Sequence, residues 1–256
     1  MALADIQKKE KKLYVRPKSL TNKTMHYCPG CSHSLVHKLI AEVIDELDIQ
    51  KKTTVIAPVG CAVLIYDYIE CDSVEAAHGR APAIATGIKR VKPDNIVISY
   101  QGDGDLLSIG MAETIHTANR GENITIIFIN NAVYGMTGGQ MAPTTLIGQK
   151  TKTTPLGRSV SNDGYPIRAC ELLNTLDAPY YITRCIVTDV KEIIKTKKSL
   201  KKAIKYQMEG KGYSFIEILS NCSTNWGLNP LNANKWINEK LIEIFPVKTF
   251  RDKGEK

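Results

Sequence analysis

The chain has 256 residues, 43% of them apolar and 23% charged, with a formal net charge of +8. These proportions fit an ordinary globular protein with one sizeable core, and no apolar run approaches the roughly 20 residues of a membrane-spanning helix. The lysine-rich start, Met1 to Lys12, lacks an apolar stretch and does not read as a secretory signal, so a cytoplasmic protein is expected.

In chain order, residues 1–24 read as a polar arm and 25–256 as a single domain. Val36, Leu39, Ile40, Val43, Ile44 and Leu47 recur with a period near 3.6 and predict a first helix. Strand-like apolar runs follow at Thr54–Ala57, Ser73–Ala76, Asn95–Tyr100, Ile124–Ile129, Tyr180–Val187 and Ser214–Leu219. Helical patterns alternate with them, one after Asp105 and one over Val190–Met208. This alternation predicts an α/β fold, a mostly parallel sheet with helices on both faces. In such sheets ligands bind at loops leaving the carboxyl ends of strands.

The positive charge concentrates at Lys8–Lys12 and Lys191–Lys205. In the second stretch the lysines lie among Ile193, Ile194, Leu200, Ala203 and Ile204 at helical spacing, which predicts the wet face of an amphipathic helix. No aromatic residues interleave with them for bases to stack on, so nucleic acid is not an expected partner.

Two motifs lie just after strands. Gly102-Asp103-Gly104-Asp105 offers a tight turn, a hard oxygen and a helix N-terminus suited to phosphate. The next strand ends in Asn130-Asn131-Ala132-Val133-Tyr134-Gly135. Asp103 and Asn131 are one helix and one strand apart, so neighbouring strand ends can bring them together. A carboxylate, an amide oxygen, a backbone carbonyl and diphosphate oxygens make a shell that suits Mg²⁺. The plain alternative is an Asx turn at each strand end.

There are seven cysteines, an odd number, which disfavours a disulfide framework in a chain without a secretory signal. Cys28-Pro-Gly-Cys31 fits half a zinc site, half an iron–sulfur site or a redox dithiol. A thioredoxin-like role is disfavoured, because the motif follows the polar arm and not a strand. Cys61 and Cys222 lie in loops after strands, whereas Cys71, Cys170 and Cys185 sit among apolar neighbours and read as buried thiols.

Taken together, the chain resembles the β subunit of 2-oxoacid:ferredoxin oxidoreductases, from about Tyr27 to Pro230. The stretches that carry this are His26-Tyr-Cys-Pro-Gly-Cys31, Val59-Gly-Cys61, Ala77-His-Gly-Arg-Ala81, Gln101-Gly-Asp-Gly-Asp105, Asn130 to Thr145 and Cys222-Ser-Thr-Asn-Trp-Gly227. The resemblance implies a thiamine-diphosphate-binding fold, with Asp103, Asn131 and the carbonyl of Val133 as Mg²⁺ ligands. It places Val59, Gly60, Cys61, Ala62, His78, Gly79, Gly104, Asp105, Gly135 and Met136 along the thiamine diphosphate. It gives a 4Fe–4S cluster to Cys28, Cys31, Cys61 and Cys222. His78 alone fits a core histidine as well as a ligand contact. Its setting in Ala-His-Gly-Arg-Ala favours the second, while His26, His33, His37 and His116 are expected to be structural.

The implied reaction oxidatively decarboxylates a 2-oxoacid, passes the acyl group to coenzyme A and delivers electrons through the cluster to ferredoxin. The chain shows no glutamate suited to activating the cofactor. In the family it comes from a partner, so an α subunit, joined in some members by γ and δ subunits, is expected. Relatives acting on 2-oxoglutarate often carry a basic residue three positions after the third cysteine; here it is Leu64, which leans toward a branched-chain 2-oxoacid. The competing readings are a non-oxidative thiamine-diphosphate decarboxylase or carboligase, and a zinc-stabilised binding protein without catalytic activity.

Overall fold

In the computed structural model residues 14–255 are described. Seven strands form one sheet in the order β2-β1-β3-β4-β6-β5-β7: β1 Thr53–Ala57, β2 Asp72–Glu75, β3 Ile96–Gly102, β4 Thr125–Asn130, β5 Tyr181–Ile186, β6 Ser214–Leu219 and β7 Thr249–Asp252. All pairings are parallel except β5 with β7. The six apolar runs all form strands. Every residue of β1, β4, β5 and β6 is buried, as a parallel sheet covered on both faces requires. β2 is the exposed edge. β7 was not expected; its sequence, Thr-Phe-Arg-Asp, carries no strand pattern and is held by pairing with β5.

The helix Ser32–Glu46 buries Val36, Leu39, Ile40, Val43 and Ile44 against one face of the sheet. The helix Val190–Met208 joins it there through Leu200, Ala203 and Ile204. Its start is fixed by Asp189, whose side chain accepts from Glu192 N at 3.0 Å. Its lysines are less wet than expected. Lys197 bridges to Glu42 at 2.6 Å and Glu46 at 2.7 Å, and Lys201 reaches Glu46 at 2.7 Å, so part of the basic stripe ties the two helices together. The helix Ala81–Val91 packs on the opposite face, in the second apolar cluster. Among the described residues no helix is long and apolar enough to cross a membrane.

Of the stretch read as a polar arm, residues 1–13 lie outside the described residues. Ser19 and Leu20 are buried, with Leu20 in the main core and bridged to Ile69. Ser19 N and Oγ both donate to Asp45, at 3.1 and 2.5 Å, so the packed body begins before Met25.

Between β1 and β3 the strand order reverses: the chain runs from β1 outward to β2, then returns to the other side of β1. The crevice outside their carboxyl ends is where a sheet of this type binds its ligand.

Candidate functional site

A cleft opens at that reversal. The exit of β1 supplies Val59, Gly60, Cys61 and Ala62; the turn after β2 supplies His78; the exit of β3 supplies Asp103, Gly104 and Asp105. The exit of β4 supplies Asn131, Val133, Gly135 and Met136. Twelve expected residues, distant in sequence, therefore line one space. Gly79 stands just behind it, its amide donating to Asp105 at 2.8 Å.

Asp103 is buried. Its Oδ1 accepts from Gly104 N at 2.8 Å and its Oδ2 from Thr144 Oγ1 at 2.7 Å. Burial pushes its pKa up to about 7, against the hydrogen bonds from Thr144 and Gly104. Among the described residues its donors are neutral, and a buried carboxyl of this kind at a cleft wall fits a divalent cation, which would hold it ionised. Asn131 Oδ1 accepts from Val133 N at 3.2 Å, an Asx turn, yet an amide oxygen keeps a second lone pair for a metal. Both readings of Asn131, turn former and ligand, are thus compatible. Ala132 between them has φ +58, a conformation rare outside glycine, and Thr145 Oγ1 holds its carbonyl at 2.7 Å.

Gly104 is glycine for space. A Cβ there would lie 2.0 Å from the Tyr134 ring, which closes over the turn. That close approach leaves backbone facing the cleft where a diphosphate would sit.

Asp105 borders the cleft, and its carboxylate accepts from His78 Nδ1 at 2.6 Å and Gln101 Nε2 at 2.7 Å. The helix expected after it begins as a π-helical turn, Gly104–Ile109, before Met111–Asn119 continues as an α-helix.

The four cysteines of the second constellation gather on the flank of the cleft. A Cβ on Gly135 would stand 3.3 Å from Cys61 Sγ and 3.7 Å from Cys222 Sγ, so both sulfurs lie beside one cleft residue. The Cys28–Cys31 turn closes with Cys31 N donating to Cys28 O at 3.0 Å. It is pinned to the Cys222 loop by Asn221 Nδ2, which donates to Gly30 O at 3.0 Å. Gly30, at φ +76, has Pro230 where a side chain would go. Burial pushes the Cys31 thiol up to about 12 and the Cys61 thiol up to about 11, with Cys222 and Cys28 adding to both shifts. Cys222 is likewise pushed up by burial, and a cationic centre beside these three part-buried thiols would stabilise their thiolates. Among the described residues no three His, Cys, Asp or Glu side chains are close enough to grip one metal ion. Cys170 and Cys185 are buried thiols as expected, whereas Cys71 is only half-buried.

His33, expected to be structural, lines the cleft, stacks on Tyr27 at 5.0 Å between ring centres and binds Tyr100 Oη through Nδ1 at 2.6 Å. Tyr27 and Asn225 were not assigned a role in the site. Tyr27 Oη donates to the Cys61 carbonyl at 3.0 Å. Asn225 Nδ2 reaches both Gly135 O at 3.0 Å and Cys222 Sγ at 3.2 Å, joining the two constellations. For His33, the available signal was its place two residues after Cys31, at the start of the first helix.

Residues 59–218 match the family model of the thiamine pyrophosphate enzymes, C-terminal TPP binding domain. The chain is 53% identical over 229 residues to the ketoisovalerate oxidoreductase subunit VorA of Methanothermobacter thermautotrophicus, covering 90% of this chain and 48% of that protein. It is 35% identical over 228 residues to the 2-oxoglutarate synthase subunit KorB of Methanocaldococcus jannaschii, covering 87% and 80%. Its structure is similar to that of the 2-oxoglutarate:ferredoxin oxidoreductase from Magnetococcus marinus, with a TM-score of 0.78 at 25% identity, covering 96% of this chain and 88% of that one. The chain belongs to the thiamine pyrophosphate enzymes and, within them, to the β-type subunits of the 2-oxoacid:ferredoxin oxidoreductases. It spans about half the length of the VorA relatives it matches.

Proposed function

We propose that this chain is the cofactor-binding part of a cytoplasmic enzyme that oxidatively decarboxylates a 2-oxoacid, yielding an acyl-CoA and CO₂ and passing two electrons through a 4Fe–4S cluster to ferredoxin. One observation carries the reading: Gly135, a cleft residue, lies against the sulfurs of Cys61 and Cys222, so the decarboxylation site and the electron outlet share a wall.

Bound thiamine diphosphate supplies the nucleophile and electron sink for decarboxylation. In this reading Asp103, Asn131 and the Val133 carbonyl hold Mg²⁺ against its diphosphate, and the backbone at Gly104 lets the diphosphate approach. Val59, Gly60, Ala62, Gly79, Gly135 and Met136 would shape the rest of the cleft or support its wall, and His78 would contact the cofactor from the turn after β2. Cys28, Cys31, Cys61 and Cys222 hold the cluster. The activating glutamate is expected from an α-type partner subunit.

A branched-chain 2-oxoacid is favoured over 2-oxoglutarate. Leu64 is apolar and half-buried, and the ketoisovalerate subunits share more identity with this chain than the KorB proteins do. Leu64 does not line the cleft, so any influence on the substrate passes through its neighbours.

The test is anaerobic preparation with the partner polypeptide, followed by iron and sulfide determination and addition of 2-oxoacids with coenzyme A. About four irons per chain, and a visible absorption bleached most readily by 2-oxoisovalerate, are expected. Zinc in place of iron, or no bleaching by any 2-oxoacid, overturns the proposal.

A further inference from the structure

Asp105 is 2% exposed, and both of its oxygens are engaged by protein. Oδ1 accepts from His78 Nδ1 at 2.6 Å and Gly79 N at 2.8 Å, with Val59 N more distant at 3.4 Å. Oδ2 accepts from Gln101 Nε2 at 2.7 Å, and Gln101 is itself held through Oε1 by Ser99 Oγ at 2.9 Å. These donors come from the exit of β1, from the turn after β2 and from β3. One carboxylate therefore ties together three of the segments that bound the cleft.

The backbone is shaped for this contact. Gly110 N donates to Asp105 O at 2.9 Å, the five-residue step of a π turn. Gly79, at φ +78, lies so close to that turn that a Cβ would meet Gly110 N at 2.6 Å. Widening the first helical turn after β3 brings Asp105 beneath His78 and lets Gly79 dock. A π turn at a functional site commonly has such a local purpose.

The consequence falls on His78. Every other contact of the Asp105 oxygens is an N–H donor, from Gly79 N, Gln101 Nε2 and the more distant Val59 N, so the carboxylate acts as acceptor throughout. Nδ1 of His78 must then carry the proton, and in the neutral ring Nε2 is left as an acceptor. Nε2 makes no hydrogen bond among the described residues, and the side chain is 31% exposed where it lines the cleft. We propose that Asp105 is a positioning residue: it fixes His78 as the Nδ1–H tautomer, so that Nε2 presents a lone pair to an N–H or O–H group of the ligand in the cleft. The catalytic consequence rests on the function proposed above; the tautomer does not.

The decisive experiment is a long-range ¹H–¹⁵N correlation spectrum of the full chain labelled with ¹⁵N-histidine, at a pH where imidazoles are neutral. His78→Gln identifies the signal by its loss. The expected result is the Nδ1–H tautomer for His78, kept in Asp105→Asn, whose amide oxygen still accepts, and lost in Asp105→Ala. In the assembled enzyme Asp105→Ala lowers kcat at saturating cofactor by about tenfold or more, and adding His78→Gln lowers it little further. An Nε2–H tautomer in the wild-type chain overturns the proposal, and that spectrum needs no variant to fold. So does an Asp105→Ala enzyme with weakened cofactor binding but unchanged kcat at saturation, the behaviour of a residue that only lines the cofactor. If the tautomer is as stated but the assembled enzyme oxidises no 2-oxoacid, the functional reading falls and the Asp105–His78 pair stands.

Discussion

The hydroxyl of Thr144 donates to Asp103 Oδ2 at 2.7 Å, joining the long loop after β4 to the Gly-Asp-Gly turn after β3. Both residues are buried, so this bond aims the carboxylate that the proposed Mg²⁺ site needs. Thr144→Val keeps the shape and removes the donor. Loss of an outer-shell bond of this kind costs metal affinity roughly 10–100-fold. Mg²⁺-dependent binding of thiamine diphosphate, followed by calorimetry, is expected to weaken within that range while the far-ultraviolet circular dichroism stays unchanged. Unaltered affinity would show that Gly104 N suffices to aim Asp103.

Gly104 makes a sharper case. A Cβ there would lie 2.0 Å from Tyr134 Cε1 and 2.4 Å from Cζ, atoms of a rigid ring with no flexible end to swing aside. Gly104→Ala is expected to destabilise the chain by about 1–3 kcal/mol through overpacking. Adding Tyr134→Ala should recover part of that loss, because it removes the ring the methyl collides with. Urea unfolding of the two single variants and the double variant measures this directly. Additive losses would mean that the ring is not what the methyl meets.

Behind β4 lies a buried ionic network. Arg184 Nε donates to Glu217 Oε2 at 2.8 Å, its Nη2 donates to Glu171 at 2.6 Å, and Glu217 Oε1 accepts from Asn130 Nδ2 at 2.8 Å. Arg184 and Glu217 side chains are both fully buried. Neutralising Glu217 leaves a buried guanidinium facing one remaining carboxylate, so Glu217→Gln is expected to cost about 3 kcal/mol in urea unfolding. Asn130 directly precedes Asn131, so the same variant should loosen cofactor binding as well. Arg184→Met combined with Glu217→Gln should cost less than the sum of the two single changes.

What was legible in the chain follows from the range of the forces involved. β1, β3, β4 and β6 announced themselves as apolar runs because a parallel sheet buries both faces, and Val190–Met208 showed its helical period directly. β7 did not, since its four residues owe their strand geometry to β5. The π turn at Gly104–Ile109 depends on Gly79 approaching from another segment, which no local pattern records. Asp103 and Asn131 were readable as a pair because only one helix and one strand separate them. The four cysteines were not readable from spacing; Cys28 and Cys222 are brought together by the Asn221–Gly30 bond, and only the family resemblance grouped them in advance.

Acid should expose the buried histidines. His37 is fully buried, its Nε2 lies 2.8 Å from Tyr27 Oη, and its Nδ1 has no partner among the described residues. Tyr68, Tyr100, His33 and Tyr27 pack around it. Burial holds its pKa well below 6.5, with His33 and His26 adding to the shift. The unfolded chain therefore binds a proton there near pH 6.5 that the folded chain refuses. Stability from this group is fully present above pH 6.5 and is lost as pH falls below it, by up to about 1.4 kcal/mol per pH unit. Unfolding free energies between pH 7.5 and 5.5 should fall less steeply for His37→Gln than for the wild-type chain; equal slopes would assign the acid sensitivity elsewhere.

The last prediction concerns the electron outlet. Asn225 Nδ2 donates to Cys222 Sγ at 3.2 Å while also holding the Gly135 carbonyl. A hydrogen bond to a ligating sulfur withdraws negative charge, and it stabilises the reduced cluster more than the oxidised one because the reduced cluster carries one more electron. Asn225→Ala is therefore expected to shift the midpoint potential of the proposed 4Fe–4S cluster to a more negative value, read by a redox titration followed by electron paramagnetic resonance. Iron content should stay near the wild-type level, since all four cysteines remain. Asn225→Asp tests the sign independently: a carboxylate beside the sulfur adds negative charge where the amide removed it, and should lower the potential further than Ala. A potential unmoved in both variants would mean that Asn225 serves only to hold Gly135 against the cleft.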